Sequence, residues 1–154
     1  MKLSDFLGEN VIKTDLEAVD KMEAIEELID LLISEHELSL RDRDDVIEVV
    51  FQREKSMSTG VGETIAIPHG SIDCIEEIVG AIGISKKGID FESFDGLPAH
   101  IVILLLVPKT KFGKHIKTLA QIARTLGQED IRNSICLAET PEDVLDILEK
   151  AERG

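Results

Sequence analysis

The sequence predicts an α/β fold in which a mixed β-sheet is flanked by helices on both faces. Apolar residues recur at helical spacing near both ends of the 154-residue chain. The middle of the chain instead holds short segments that are rich in β-branched residues and bounded by Gly or Pro. One of them, "VILLLV" at 102–107, is apolar on both faces, which is typical of a central strand covered by helices.

The first two helices are predicted over residues 20–36 and from near Arg43 or Asp44 to the region 53–55. Asp20 can accept hydrogen bonds from the first turn of the first helix. The basic residues at the end of the second helix suit its negative pole. The apolar stripes that define the two helices are Met22, Ile25, Leu28, Ile29, Leu32 and Ile33 in the first, and Val46, Ile47, Val50 and Phe51 in the second.

Strands and two further helices complete the predicted order. The strands are "TIAI" at 64–67, "IVGAIGIS" at 78–85 and "HIVILLLV" at 100–107. A third helix runs from about Lys114 to Gly127. The last helix follows Thr140 and Pro141, where threonine caps the helix and proline occupies its first turn. We expect residues 1–154 to form a single domain.

Charge and composition exclude several classes of protein. The chain carries 31 acidic and 17 basic residues, a net charge of −14, so a nucleic-acid partner is not expected. The longest strongly apolar run is only as long as a strand, so no membrane insertion is expected. The amino-terminal residues lack the apolar region of a secretory signal. Cys74 and Cys136 are therefore expected to be reduced thiols of a cytoplasmic protein.

Several catalytic templates also fail. "GVGET" at 60–64 lacks the lysine of a phosphate-binding P-loop, and no G-x-S-x-G motif is present. None of the four histidines stands in HxH or HExxH spacing, so neither a metal nor another cofactor is expected. His36 is expected to be solvated at a helix end, and His100 to lie at the edge of the central strand.

His69 has the most unusual setting of the four histidines. Pro68 restricts its own backbone and that of Ile67, so the histidine follows an extended segment of defined direction. Gly70 leaves space beside the imidazole or permits a positive φ. Gly60 and Gly62 leave backbone N–H groups open to an anion. From the residues alone, a functional histidine and an incidental one at an ordinary junction both remain open.

Three longer motifs resemble one known family. "REKSMSTGVGETIAIPHG" at 53–70, "GIDFESFDGLPAHIVILLLVPK" at 88–109 and "HIKTLAQIARTLG" at 115–127 are similar to the fructose/mannitol-type enzyme IIA family of the bacterial phosphotransferase system. That family includes the nitrogen-regulatory enzyme IIA proteins. The resemblance runs from about Leu3 to Leu148, and it implies the enzyme IIA type 2 sandwich, a mixed sheet flanked by helices.

The resemblance also implies roles for three residues. His69 would accept a phosphoryl group from the histidine phosphocarrier protein, His115 would assist, and Arg53 would line the same pocket. His115 is followed by Ile116 where the family usually has leucine, which is a conservative departure. Glu63 stands where a small or polar residue is expected, and no role is assigned to it.

Two functions remain open at this stage. The protein is either a regulator whose phosphorylation state changes its affinity for target proteins, or a sugar-specific enzyme IIA that passes phosphate to a transporter IIB subunit. The regulator is favoured, because no transporter domain is fused to the sequence. Four lysines near His115 are expected either to form a docking surface or to be merely solvated: Lys109, Lys111, Lys114 and Lys117.

Overall fold

The computed structural model describes residues 2–153, except the side chains of Phe112 and Lys114. The helices are α1 (Lys21–Ser34), α2 (Arg43–Ser56), α3 (Phe112–Leu126), α4 (Glu129–Leu137) and α5 (Pro141–Arg153). The strands are β1 (Ile12–Lys13), β2 (Gly60–Gly62), β3 (Ile65–Ala66), β4 (His69–Ile72), β5 (Val79–Ile89) and β6 (Ala99–Pro108). Short 3₁₀ turns precede β1, α2 and α3.

The strand β6 occupies the centre of the sheet, as its two apolar faces predict. It pairs antiparallel with β5 along one edge. Along the other edge it pairs in parallel with β3 at Ile101 and Val102, and then with β4 from Leu105 to Pro108. β1 extends the sheet parallel to β5, and β2 pairs antiparallel with β3. The sheet is therefore mixed, which confirms the prediction.

Helices cover both faces of this sheet. A Cβ atom on Gly70 of β4 would lie 2.9 Å from Val49 of α2, so this residue faces α2. The preceding residue, His69, borders a cavity together with Leu119 of α3, so α3 lies on the opposite face. α1 packs against α2, while α3, α4 and α5 contact one another. The predicted layers, with helices on both sides of the sheet, are confirmed.

The predicted starts of α1 and α5 are confirmed by their caps. The Asp20 carboxylate accepts from the Glu23 N–H at 2.8 Å, and the Thr140 hydroxyl accepts from the Asp143 N–H at 3.2 Å. His36 is exposed and follows α1 with a left-handed backbone, φ 63°, which ends the helix. α3 begins two residues earlier than predicted, and α4 was not predicted.

The structure also bears on the predictions about membrane insertion and the cysteines. Within residues 2–153, no helix has both the length and the apolar character that crossing a membrane requires. Cys74 is exposed and Cys136 is half-buried, and both are free thiols. The pKa of each thiol is raised above its ordinary value, because neighbouring atoms shield the sulfur from water even where, as in Cys74, the residue as a whole is exposed.

Candidate active site

His69 begins β4 and lies in register with Leu105 of the central strand. The Leu105 N–H donates to the Pro68 carbonyl at 3.0 Å, which fixes the residue that precedes the histidine. Pro68 cannot donate a backbone hydrogen bond, and it stands between the short strand β3 and β4 on the same edge of β6. The imidazole is thus carried at the start of a strand rather than at the strand-to-loop junction considered from the sequence.

The His69 imidazole has one tautomer that suits its surroundings. Its Nδ1 atom lies 2.8 Å from the Ile67 carbonyl oxygen. A carbonyl oxygen only accepts, so Nδ1 carries the proton and donates it, which leaves the lone pair on Nε2. Burial lowers the His69 pKa below its ordinary 6.5; the Ile67 contact opposes this shift, and the Arg53 charge adds to it. The ring is therefore neutral and nucleophilic at pH 7.

His115 lies across a narrow cavity from this ring. It is located in the first turns of α3, and its side chain is buried, with 5% of its surface exposed. The cavity, here called the histidine slot, is lined by His69, Leu105, Val107, His115, Ile116 and Leu119. The structure thus brings together two histidines that are separated by 46 residues in the chain.

Arg53 is located in the last turn of α2. Its Nη1 atom donates to the Met57 carbonyl oxygen at 2.7 Å, which closes the end of the helix. Its positive charge is near enough to lower the His69 pKa. His69 and His115 thus line one cavity, whereas Arg53 is not among the residues that line it and is linked to His69 by its charge.

The glycines around His69 serve packing more than the sequence suggested. Gly70 does not have a positive φ; it is needed because any side chain would meet Val49 and Val50 of α2. The Gly60 N–H donates to the Ser58 hydroxyl at 3.0 Å, so this donor is used inside the chain instead of being open to an anion. Gly62 has a φ of 87°, which only glycine adopts without strain.

Glu63 has structural contacts that the sequence did not predict. Glu63 and Thr64 both have left-handed backbones, with φ of 55° and 70°, in the turn between β2 and β3. The Glu63 carboxylate lies 3.4 Å from the Arg132 guanidinium. Its backbone N–H donates to Asp95 at 2.8 Å. These contacts fix a strained turn about six residues before His69.

The lysines near His115 are not one uniform positive surface. Lys109 lies 3.8 Å from Asp73, and Lys111 lies 2.6 Å from Glu77. Lys117 is exposed on α3, and the side chain of Lys114 lies outside the described residues. Because two of the four have acidic partners, the net positive charge beside the histidine slot is smaller than the sequence indicates.

Glu54 is the residue that sequence reasoning missed. Its side chain is buried, and it accepts hydrogen bonds from both the N–H and the hydroxyl of Thr59. A signal was present: 46, 50 and 54 are spaced by four, so Glu54 continues the predicted buried stripe of α2. A carboxylate at such a position must be paired, which identifies it as more than a surface charge.

No set of three or more His, Cys, Asp and Glu side chains in the described part of the chain is arranged to hold a metal ion. The cluster around His69 instead combines a neutral imidazole, a second histidine and a guanidinium. These groups suit nucleophilic attack and the stabilisation of negative charge.

Comparison with known families identifies the chain. The family model "Phosphoenolpyruvate-dependent sugar phosphotransferase system, EIIA 2" matches residues 5–151. The chain belongs to this family. Its members act in phosphoryl transfer, and the resemblance inferred from the three motifs is confirmed.

Individual relatives carry two kinds of name. The nitrogen regulatory protein of Bradyrhizobium diazoefficiens is 35% identical over 148 residues, which cover 96% of this chain and 95% of that protein. The fructose-specific EIIABC component of the phosphotransferase system of Bacillus subtilis is 33% identical over 153 residues. That match covers 99% of this chain but 24% of the EIIABC component, so the chain spans about a quarter of that relative.

Solved structures confirm the enzyme IIA fold. The nitrogen regulatory protein IIA-Ntr from Neisseria meningitidis has 34% identity and a TM-score of 0.86, covering 95% of this chain and 98% of that one. IIA mannitol from Escherichia coli has 23% identity and a TM-score of 0.77, and the match covers 92% of this chain and 97% of that one. At this level of identity the similarity shows only that the fold is shared.

Proposed function

We propose that this protein is a phosphocarrier of the enzyme IIA type, which accepts a phosphoryl group on His69 from the histidine phosphocarrier protein and acts as a nitrogen-regulatory-type protein. The observation that carries the proposal is the His69 imidazole itself. Its Nδ1 donates to the Ile67 carbonyl, and its pKa is lowered, so that a neutral Nε2 is available as a nucleophile. We infer that a single domain, residues 1–154, performs the transfer in the cytoplasm.

The proposed reaction moves one phosphoryl group between two imidazoles. The Nε2 lone pair of His69 forms a bond to phosphorus, while the N–P bond of the donor phosphohistidine breaks and its electron pair returns to the donor ring. The Nδ1 proton of His69 stays in its hydrogen bond to the Ile67 carbonyl. Arg53 stabilises charge on the phosphoryl oxygens, and His115 supports the group from across the histidine slot.

The regulatory type is favoured by the extent of the match. The nitrogen regulatory protein of Bradyrhizobium diazoefficiens is matched over 95% of its length. A sugar-specific role is the second candidate, because the fructose-specific EIIA component of Haloferax volcanii is 35% identical over 125 residues, 80% of that protein. In that case the acceptor would be a IIB subunit, as in the complex of enzyme IIAMTL with phosphorylated IIBMTL from Escherichia coli.

The first test is phosphorylation of the purified protein. Incubation with phosphoenolpyruvate and the general phosphotransferase proteins should label the wild type with an acid-labile, base-stable phosphoryl group, as expected for a phosphohistidine. The His69→Ala variant should take up no label. Labelling of His69→Ala at the wild-type rate would overturn the proposal. Transfer of the label onward to a fructose-type IIB domain would select the sugar-specific role over the regulatory one.

His115 provides a second prediction from the same geometry. We expect His115→Ala to slow phosphorylation of His69 by about 10²- to 10³-fold, the usual cost of losing one group that stabilises transition-state charge. The exposed His36 gives the control, since His36→Ala should leave the rate unchanged. Stopped-flow or quench measurement of the transfer rate decides the matter. Equal transfer rates for His115→Ala and His36→Ala would show that His115 takes no part in the reaction.

A further inference from the structure

Glu54 has an electrostatically unfavourable location. It belongs to the last turn of α2, and none of its side-chain surface is exposed. A carboxylate near the carboxyl end of a helix is repelled by the partial negative charge of the helix. Removal from water adds a further cost to a charged group. A carboxylate is retained in such a place only if its contacts offset these costs.

Three groups provide those contacts. The Thr59 hydroxyl donates to Glu54 Oε2 at 2.5 Å, and the Thr59 backbone N–H lies 3.2 Å from Oε1. The Lys21 ammonium, from the first residue of α1, lies 3.6 Å from Oε1 and 2.9 Å from Glu92. The carboxylate therefore joins the end of α2 to the start of α1 and to the segment that leads into β2.

From Thr59 a continuous set of hydrogen bonds leads to the phosphoacceptor. The Thr59 carbonyl accepts from the Ile67 N–H at 3.0 Å. The Ile67 carbonyl in turn accepts from His69 Nδ1 at 2.8 Å. Thr59 is therefore connected to the His69 ring through a single residue, Ile67, and two hydrogen bonds. The position of Thr59 thus sets the position of the Ile67 carbonyl oxygen, which selects the His69 tautomer.

We propose that Glu54 is a positioning residue for phosphoryl transfer: by fixing Thr59, and through it Ile67, it holds His69 with its proton on Nδ1 and Nε2 directed to the donor. This inference rests on the proposed function of His69. Glu54 itself does not touch the reacting atoms, so its effect is on orientation. A small misplacement of a reacting group is enough to slow an in-line transfer.

The buried carboxylate also bears on the charge state of the ring. Arg53 lowers the His69 pKa, and the neighbouring Glu54 raises it. The negative charge of Glu54 thereby limits the effect of the adjacent guanidinium. Glutamine at position 54 would keep the packing and an oxygen that can accept from Thr59, but it would lose this balance of charge.

The experiment compares Thr59→Val with Thr59→Ser in the full chain. Valine keeps the shape of threonine and removes the hydroxyl that Glu54 accepts from, whereas serine keeps the hydroxyl. We expect roughly a tenfold loss of the His69 phosphorylation rate in Thr59→Val, and recovery of most of it in Thr59→Ser. The matched control is Thr125→Val, the same change at a buried threonine in the last turn of α3, with the wild-type rate expected.

A spectroscopic readout distinguishes positioning from stability. The ¹⁵N chemical shifts of the His69 ring report which nitrogen carries the proton. They should show one tautomer in wild type and Thr125→Val, and a mixture in Thr59→Val. A rate and a spectrum for Thr59→Val equal to those of Thr125→Val would overturn the role of Glu54. If Thr59→Val does not fold, Thr59→Ala, which also lacks the hydroxyl, is judged by the same two measurements, with a mixed tautomer and roughly a tenfold loss expected.

The outcome for wild type keeps the two proposals apart. If wild type takes up no phosphoryl group on His69, the proposed function fails, and the spectrum alone then judges whether Glu54 and Thr59 fix the ring. If wild type is phosphorylated while Thr59→Val behaves as Thr125→Val, the proposed function stands and the positioning role is wrong.

Discussion

Arg53 and Glu54 are adjacent in the chain and act on the same imidazole in opposite directions. The guanidinium disfavours the imidazolium form and lowers the His69 pKa, whereas the buried carboxylate favours it. Burial of the ring is the largest influence, and it also lowers the pKa. The His69 pKa therefore lies below its ordinary value of 6.5, and the ring protonates in more acidic solution than a free imidazole does.

The charge of Arg53 should be visible in the pH dependence of phosphoryl acceptance by His69. Protonation of His69 blocks Nε2, so the rate of phosphoryl acceptance should fall as pH drops through the His69 pKa, which is lower than that of an ordinary histidine. Replacement of Arg53 by Ala removes a charge that lowers this pKa. We therefore expect the fall to begin at higher pH in Arg53→Ala than in wild type. Proton NMR titration of the His69 ring measures the pKa directly.

Arg53→Lys is the control for charge. It keeps the positive charge and loses the planar guanidinium, so the His69 pKa should stay near the wild-type value while transfer is slowed. Transfer in Arg53→Ala should be slower still, by about 10²- to 10³-fold at pH 8, where the ring is neutral in every variant. An unchanged His69 pKa in Arg53→Ala would show that the charge acts too far away to matter.

At the scale of elements, α2 and β4 depend on each other through Gly70. The helix approaches the strand so closely that a Cβ on Gly70 would lie 2.9 Å from Val49 and 3.3 Å from Val50. This contact places the last turn of α2, with Arg53 and Glu54, relative to His69. The strand carries His69, and the helix carries the two charged side chains that affect its pKa.

We predict that Gly70→Ala destabilises the protein and slows transfer. The added methyl group must displace the valines of α2, at a cost of about 1–3 kcal/mol in the free energy of unfolding. Gly113→Ala is the matched control, because nothing lies within 4 Å of a Cβ at that position. Gly113 lies within α3, so alanine there should be neutral or stabilising by up to about 1 kcal/mol. Urea unfolding of both variants tests this, and equal stabilities would contradict the close approach.

Some helices and strands could be predicted from the sequence, and others could not. α1, α2 and β6 were predictable because long periodic or uniformly apolar segments specify both their type and their burial. α4 has nine residues, includes the poor helix formers Asn133 and Ser134, and buries only Ile135, so its periodicity is weak. β4 has four residues and gains its strand geometry from pairing with β6 rather than from its own composition.

Some features of the candidate site could also be predicted from the sequence, and others could not. His69, His115 and Arg53 were predicted from their resemblance to a family; the structure brings the two histidines to one cavity, while Arg53 lies outside the residues that line it and affects His69 through its charge. Neither composition nor spacing indicates that the Ile67 carbonyl selects the tautomer of His69, because that contact requires the backbone path through Pro68. The pairing of Lys109 with Asp73 likewise depends on the fold. Contacts between distant segments were the part that the sequence could not provide.

For the molecule as a whole, the main electrostatic fact is its net charge of −14. Acidic side chains concentrate along one groove beside α1, which is lined by Glu17, Ala18, Glu23, Glu26, Glu27 and Asp30. Lys13 pairs with one of these acids at 2.6 Å, and Arg43 with another at 2.7 Å. The surplus negative charge repels itself in the compact state and lowers stability at low ionic strength.

We therefore predict that added salt raises the melting temperature. Between about 0.01 M and 0.1 M ionic strength the Debye length falls from about 30 Å to about 10 Å, which screens repulsion across the surface. A rise of about 2–4 °C is expected, equivalent to about 1 kcal/mol for a chain of this length. The Glu26→Gln variant should melt higher than wild type at low salt and gain less from added salt. A melting temperature that falls as salt is added, measured by calorimetry, would contradict this prediction.

The central place of β6 has a consequence for how long the site keeps its shape. Residues 101–106 have no exposed surface, and the strand is paired along both edges, so its amide hydrogens should exchange with solvent only when the whole protein unfolds. β4 is registered on this strand, and the backbone beneath His69 is thereby anchored to its slowest-exchanging part. If His69 accepts a phosphoryl group as proposed and keeps its Nδ1 proton, the net charge at this point becomes more negative by about one unit, and we expect the backbone to stay in place. We therefore expect a partner to distinguish the two forms by local charge and not by a change of backbone structure.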